Sequence, residues 1–395
     1  MIPRFAESRR TRAPAPPRPR GERGRGRGRQ LVDNFGPNWF TSVMGTGIVA
    51  NAAATLPVHA TALTFAATAV WLLAAVLLVG AGITWALHFA LRRGRPHVTD
   101  PFLVQYFGAP PMALLTVGAG TLLVGRHVIG ERAAVAVAWT LWSAGAVSGL
   151  AAAVLVPLWM FTRHRSAPDS VFASWLMPLV PPMVAAAGGA LLVPHAAPGQ
   201  ARTSVLIACY AMFGAGLLAS TVVITLVWWR LTQHNQGPAV LVPTLWIVLG
   251  PLGQSVTAAN LLGDVAPLAV PPPYSTGLAV FGLVYGVPVW GFAVFWAAIA
   301  ALITLRTARA KLPFSLTWWS FTFPVGVVVT GTSELAERSH AAVFAVAAVL
   351  FYAGLVCAWA VVGVRTLRGC VRGTLFAPGR RRAGTRDRTR RGRVG

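Results

Sequence analysis

The chain has 395 residues, of which 55% are hydrophobic and only 11% charged, and its formal net charge is +24. A soluble domain carries about 25% charged residues, so this composition excludes an ordinary soluble enzyme and points to a chain that lives in lipid. The positive surplus sits at the two ends: residues 1–30 hold ten Arg and two Glu, and residues 365–395 hold eleven Arg and one Asp.

Those ends are rich in Arg, Pro and Gly and nearly devoid of aliphatic residues. They cannot bury enough apolar surface to fold, so residues 1–36 and 369–395 are expected to be disordered tails. On a membrane protein such tails face the cytoplasm and attract anionic lipid headgroups, and no nucleic-acid partner is expected.

Between the tails, ten stretches are apolar over the roughly 20 residues needed to cross about 30 Å of hydrocarbon. They cover approximately residues 38–56, 62–91, 102–125, 133–161, 172–193, 203–230, 239–263, 276–304, 314–334 and 340–367. Ten spans place both termini on one side. Loops on the tail side carry Arg92, Arg93, Arg95, Arg163, Arg165, Arg230, Arg306, Arg309 and Lys311, against Arg126, Arg132, Arg202 and Arg338 opposite. The positive-inside rule makes the tail side cytoplasmic, which predicts a multi-pass protein of the cell membrane.

The odd spans differ from the even ones. The first carries Gly45-Thr46-Gly47, where missing side chains allow close approach of a backbone or a solute. The third holds Gln105 ahead of Pro110-Pro111, and the fifth holds Pro178, Pro181 and Pro182. The seventh reads Gly250-Pro251-Leu252-Gly253-Gln254-Ser255, and the ninth reads Trp318-Trp319-Ser320-Phe321-Thr322-Phe323-Pro324. Each proline removes a backbone donor and frees a carbonyl four residues earlier. Lipid does not tolerate such breaks, so the odd helices belong inside, around a path. Among the even spans only Pro157 and Pro288 occur. The expected fold is therefore all-α and integral to the membrane: ten helices in five hairpins, odd helices around a central pore, even helices outside.

Backbone dipoles together with Gln254, Ser255, Thr46 and Gln105 would offer polar contacts along the path. A Phe beside the last break could close it, because an apolar ring blocks wetting. Trp318 and Trp319 suit an interface belt. Few ionisable residues fall in the spans. Glu334, at the outer end of the ninth, is a candidate vestibule group; Asp264 and His88 read as interfacial. The absence of a central Arg fork argues for a weakly binding anion route. Cys209, Cys357 and Cys370 imply no disulfide framework, the last falling in the tail. No catalytic or metal-binding motif is present, so neither an enzyme nor a cofactor is expected.

Gly-Thr-Gly in the first span, the Pro-rich fifth, Gly-Pro-Leu-Gly-Gln in the seventh and Trp-Trp-Ser-Phe-Thr-Phe-Pro in the ninth resemble the tellurite-resistance/dicarboxylate transporter family. That family includes tellurite-resistance channels, malate and sulfite transporters and slow anion channels. The resemblance covers about residues 36–368, the region assigned as a transport domain over 37–368. It implies a homotrimer whose subunits each hold a pore, and a phenylalanine gate on the ninth helix at Phe323, with Phe321 as the alternate. Channel members often have Tyr where this chain has Phe321.

The resulting expectation is a transporter or channel for small inorganic or organic anions: a C4-dicarboxylate such as malate, sulfite, a tellurite-type oxyanion or a halide. Gly45, Thr46, Gly47, Gln105, Pro110, Pro181, Pro251, Gln254, Ser255 and Pro324 would shape the path. A proton-coupled dicarboxylate carrier is the alternative within transport. A non-transporting membrane scaffold that recruits acidic partners through its tails is the alternative outside it.

Overall fold

The computed structural model describes residues 32, 34–58, 60–91, 100–163, 168–234 and 236–376. Most of both Arg-rich ends, and Arg92, Arg93, Arg95 and Arg165, lie outside these. Ten helical segments occupy most of the described residues: α1 Phe40–Thr55, α2 Thr61–Leu91, α3 Pro101–Ile129, α4 Glu131–Arg163, α5 Pro181–Leu192, α6 Gln200–Gln233, α7 Ala239–Leu268, α8 Tyr274–Arg309, α9 Phe323–Ser339 and α10 Ala342–Val371. There is no strand among the described residues. Seven helices (α2, α3, α4, α6, α7, α8 and α10) are long and apolar enough to cross a membrane. The chain is an all-α membrane protein.

Burial separates the helices into two sets. In the most apolar window of α3 and α7, 72% and 78% of residues are buried, against 17–33% in α2, α4, α6, α8 and α10. Nearly every residue of α1, α5 and α9 is buried as well. The even helices turn Phe65, Val147, Phe161, Leu218 and Leu302 outward, a surface that only hydrocarbon suits. Each odd helix packs on its even successor, and the odd helices also pack in a closed ring, α1 on α3, α3 on α5, α5 on α7, α7 on α9 and α9 on α1.

Lipid supplies no hydrophobic drive between helices, so close backbone approach and interhelical hydrogen bonds hold the two layers together. Gly145 and Gly149 of α4 lie against Leu115 and Pro111 of α3 and Pro181 of α5. A Cβ on Gly253 of α7 would come within 2.6 Å of the Val327 backbone of α9. Tryptophans stitch the outer helices to the inner ones. Trp142 of α4 donates to Ala185 O of α5, Trp296 of α8 to Leu245 O of α7, Trp290 of α8 to the Thr332 hydroxyl of α9, and Trp359 of α10 to the Thr46 hydroxyl of α1.

The prolines of the odd helices do less damage than a mid-helix break would. A 3₁₀ turn precedes the α-helical stretch in α3 (Tyr106–Gly108), α7 (Ala239–Val248) and α9 (Leu316–Phe321), and Ala173–Leu176 leads into α5. The α stretches then begin with Pro110-Pro111, Pro181-Pro182 and Phe323-Pro324 in their first positions. A proline in the first turn forfeits a donor that would be unpaired anyway and arrives with helical φ already set. Pro251 follows at the third position of the α stretch Leu249–Val265. Pro110, Pro111, Pro181, Pro182 and Pro324 thus stand where an α stretch begins within its segment, while Pro243 lies inside the 3₁₀ turn of α7.

Other placements also differ from expectation. Trp319 is buried and donates to the Thr366 hydroxyl, so it is not part of an interface belt; Trp318 lies under the Arg365 guanidinium, 4.5 Å from the ring centroid. His88 is buried, stacks on Trp85 and donates from Nδ1 to Val32 O at 2.7 Å. Arg230, counted among loop charges, is buried over the Phe172 ring. Helix α10 runs to Val371, so Cys370 is helical.

Candidate functional site

Two cavities lie inside the ring of odd helices, and Phe323 stands in the wall of both. The larger, of about 90 Å³, is lined from α1 by Ile48, Asn51 and Thr55, from α3 by Leu115 and Thr116, from α5 by Val184 and Gly188, from α7 by Gln254 and Thr257, and from α9 by Phe323, Thr330 and Glu334. The smaller, of about 10 Å³, is lined by Thr41, Met44, Met112, Met177, Val180, Ile247, Gly250, Ser320, Phe323 and Pro324. The large cavity sits toward the C-terminal ends of the odd helices and the small one toward the start of their α stretches. No other side chain lines both. The 2%-exposed Phe323 thus stands between a largely apolar chamber that carries several polar groups and a smaller, Met-lined one.

The polar groups of the large chamber are unequally engaged. Thr116 donates to Met112 O, and Thr257 and Thr330 pair with each other at 2.7 Å and with helix carbonyls. Asn51 donates from Nδ2 to Thr116 O at 3.0 Å, while its Oδ1 is buried without a partner. Gln254 and Glu334 have no hydrogen-bond or ion-pair partner among the described residues, although both are more than nine-tenths buried. Phe323, Thr330 and Glu334 fall on one face of α9 because their spacings of seven and four residues match two helical turns and one.

Arg338, one turn beyond Glu334, is committed elsewhere. Its Nε donates to Asn260 Oδ1 at 2.8 Å, Nη1 to Ala279 O at 3.1 Å and Nη2 to Asn260 O at 3.1 Å, and the guanidinium pairs with the Asp264 carboxylate. Asn260 in turn donates to Val256 O and to Gly282 O. This cluster locks α7, α8 and α9 together at one end. Asp264, read from sequence as interfacial, lies in the last turn of the α stretch Leu249–Val265 and is half exposed as an ion-pair partner.

Of the residues singled out from sequence, Gln254, Phe323, Pro324 and Glu334 face these cavities. The others do not. Gly45 packs on Trp319 and Thr322, and Gly47 on Thr116 and Ala74, so these glycines serve helix contact. The Thr46 hydroxyl accepts from Trp359 at 3.1 Å. Gln105 folds back onto Pro101 O, and the Ser255 hydroxyl donates to Leu252 O. Pro110 and Pro251 start α stretches, and Pro181 faces Gly149. Phe321 packs edge-on against Trp246 and Trp318, 5.5 and 5.7 Å between centroids, in an aromatic cluster outside both cavities. Asn51, Thr116, Thr257 and Thr330 were not anticipated. A lone amide in the Ala-rich α1 was the available signal for Asn51.

A ring of helices enclosing chambers that hold few charges suits passage of a small solute and offers no catalytic constellation. Among the described residues there is no cluster of metal-ligating side chains. The sequence profile of the voltage-dependent anion channel family matches residues 34–367. The chain belongs to that family. It is the grouping to which the sequence motifs pointed, and its members are transporters and channels, not enzymes. Among relatives, a sulfite efflux pump of Trichophyton rubrum is 28% identical over 349 residues, covering 85% of this chain and 91% of the relative. A sulfite efflux pump of Candida albicans is 26% identical over 332 residues, covering 77% and 67%. An uncharacterized transporter of Methanocaldococcus jannaschii is 26% identical over 308 residues, covering 76% and 84%. As a member of the voltage-dependent anion channel family, the chain is a multi-pass anion transporter or channel, and the chambers inside its odd helices are the candidate path.

Proposed function

We propose that this protein conducts sulfite and related small anions across the cell membrane through the space between its odd helices, with Phe323 closing the route. In this reading all ten helices cross the bilayer as five hairpins, both termini are cytoplasmic, and the large chamber opens outward. The observation that carries it is the position of the Phe323 ring between the two chambers. An apolar ring at a constriction excludes water, and an ion cannot shed its hydration there without replacement ligands.

Sulfite leads the substrate class because several relatives are named as sulfite efflux pumps. Malate, tellurite-type oxyanions and halides rest on the family resemblance alone, as does a homotrimer with one path per subunit. Cytoplasmic Arg at the tails and loops would raise the local anion concentration on that side, which favours efflux. The scaffold reading explains the tails but leaves the chambers without a purpose.

The test is flux in vesicles. Purified protein reconstituted without other membrane proteins should move sulfite, nitrate or chloride faster than protein-free vesicles do. Absence of flux for every anion, malate included, with correctly folded protein, would remove the transport reading.

A further inference from the structure

The large chamber contains a carboxylate where an anion is to pass. Glu334 is 8% exposed, faces the chamber from α9 and has no hydrogen-bond or ion-pair partner among the described residues. Its neighbours do not offset it. The charged groups that act on it are Asp264 of α7 and Glu337 and Arg338 of α9. Arg338 and Asp264 neutralise each other, and Glu337 is exposed to screening solvent. The linings from α1, α3 and α5 contribute no titratable side chain. An ionised Glu334 would therefore repel an anion at close range in a poorly screened chamber.

The donor inventory sharpens this. The Thr116, Thr257 and Thr330 hydroxyls are turned onto other acceptors, and the Asn51 amide is held by Thr116 O. Among the lining residues, the Gln254 side-chain amide has no partner in the described residues, and the Asn51 amide keeps one N–H beyond its bond to Thr116 O. A carboxylate only accepts, whereas a carboxylic acid also donates. One proton between Glu334 and the anion turns a repulsion into a hydrogen bond and adds a donor to the few amide N–H groups left free.

On the reading that this chamber is the anion path, we propose that an anion occupies it together with one proton, held between the Glu334 carboxyl and the anion. Glu334 is then a specificity-determining residue. A weak-acid oxyanion that still carries its own proton, such as a hydrogensulfite or a hydrogen dicarboxylate, enters with Glu334 ionised and donates to it. Halide and nitrate carry no proton and enter when Glu334 is protonated. The accounting is the same in both cases, one proton per anion bound.

Chloride and nitrate are the probes that test this, because their own charge does not change with pH. Flux would be measured in vesicles between pH 5 and 8 at symmetric pH, with the membrane potential clamped by potassium and an ionophore, for the parent and for Phe323→Ala. Chloride flux is expected to rise as pH falls, by up to about tenfold per pH unit in the range where Glu334 is mostly ionised, as linkage to one proton requires. Glu334→Gln, permanently neutral and able to donate, should hold the low-pH flux at every pH, and Glu334→Asp should restore the slope. At neutral pH the parent should prefer sulfite over chloride, and Glu334→Gln should lose much of that preference. A flat chloride profile in the parent and in Phe323→Ala, or an unchanged slope in Glu334→Gln, would overturn the proposal while leaving anion transport standing. Absence of flux for any anion at any pH would overturn both.

Discussion

Two phenylalanines lie two residues apart, and only one of them lines the chambers. Phe321 belongs to a 3₁₀ turn and packs with Trp246 and Trp318, whereas Phe323 begins α9 and separates the chambers. The change from 3₁₀ to α geometry between them aims the two rings differently. No periodicity argument could have settled this from the chain alone, because helices buried on all sides carry apolar residues on every face. The same limit explains why Gln254 and Glu334 were found while Thr46, Ser255 and Gln105 turned out to face neighbouring helices or their own backbone. A polar residue in an apolar span says that it has a partner, not which one. At this scale the Asn260–Arg338–Asp264 cluster yields a stability prediction. Arg338→Ala leaves Asn260 Oδ1 buried without its donor, which should cost about 1–3 kcal/mol. The expected readout is a lower Tm in detergent. An unchanged Tm would mean that the cluster does not bind α7, α8 and α9 together.

The even helices were legible to within about five residues at each end, whereas α5 and α9 begin nine residues later than their apolar runs, because 3₁₀ turns occupy the first part of those runs. The alternation of inner and outer helices was legible too, from Pro concentrated in the odd ones, since Pro157 and Pro288 are the prolines of the even helices. What those residues do was less so. Their prolines sit in the first turn of an α stretch, and several of their glycines are contact points between helices. The indole bonds from Trp142, Trp290, Trp296 and Trp359 were not anticipated, although fifteen Trp in one chain is many. Each interhelical bond contributes about 0.6 kcal/mol in a bilayer, so several are needed to register the two layers. The close approach of α7 and α9 is the most demanding contact. Gly253→Ala would drive a methyl group toward the Val327 backbone, where overpacking costs about 1–3 kcal/mol. Gly291 of α8 has open space around its Cβ position, so Gly291→Ala should be neutral or slightly stabilising. Thermal stability of the two variants side by side checks this, and equal losses would contradict the packing account.

At the scale of the whole molecule the odd helices close into a ring, and that closure was not written in any one span. It follows from which helices touch, a property of tertiary packing that hydropathy does not encode. Ring closure produces an interior with almost no charge, two chambers and one ring of carbon between them. On the proposed reading, that partition sets the conductance of the route and the polar groups beyond it set its selectivity. The most direct measurement compares anion flux through Phe323→Ala and Phe321→Ala in the same vesicles. Phe323→Ala should raise chloride and sulfite flux about tenfold or more, since removing about 1.4 kcal/mol of barrier suffices. Phe321→Ala should leave flux near that of the parent. Equal flux in the two variants, or a larger rise in Phe321→Ala, would contradict the placement of the gate at Phe323.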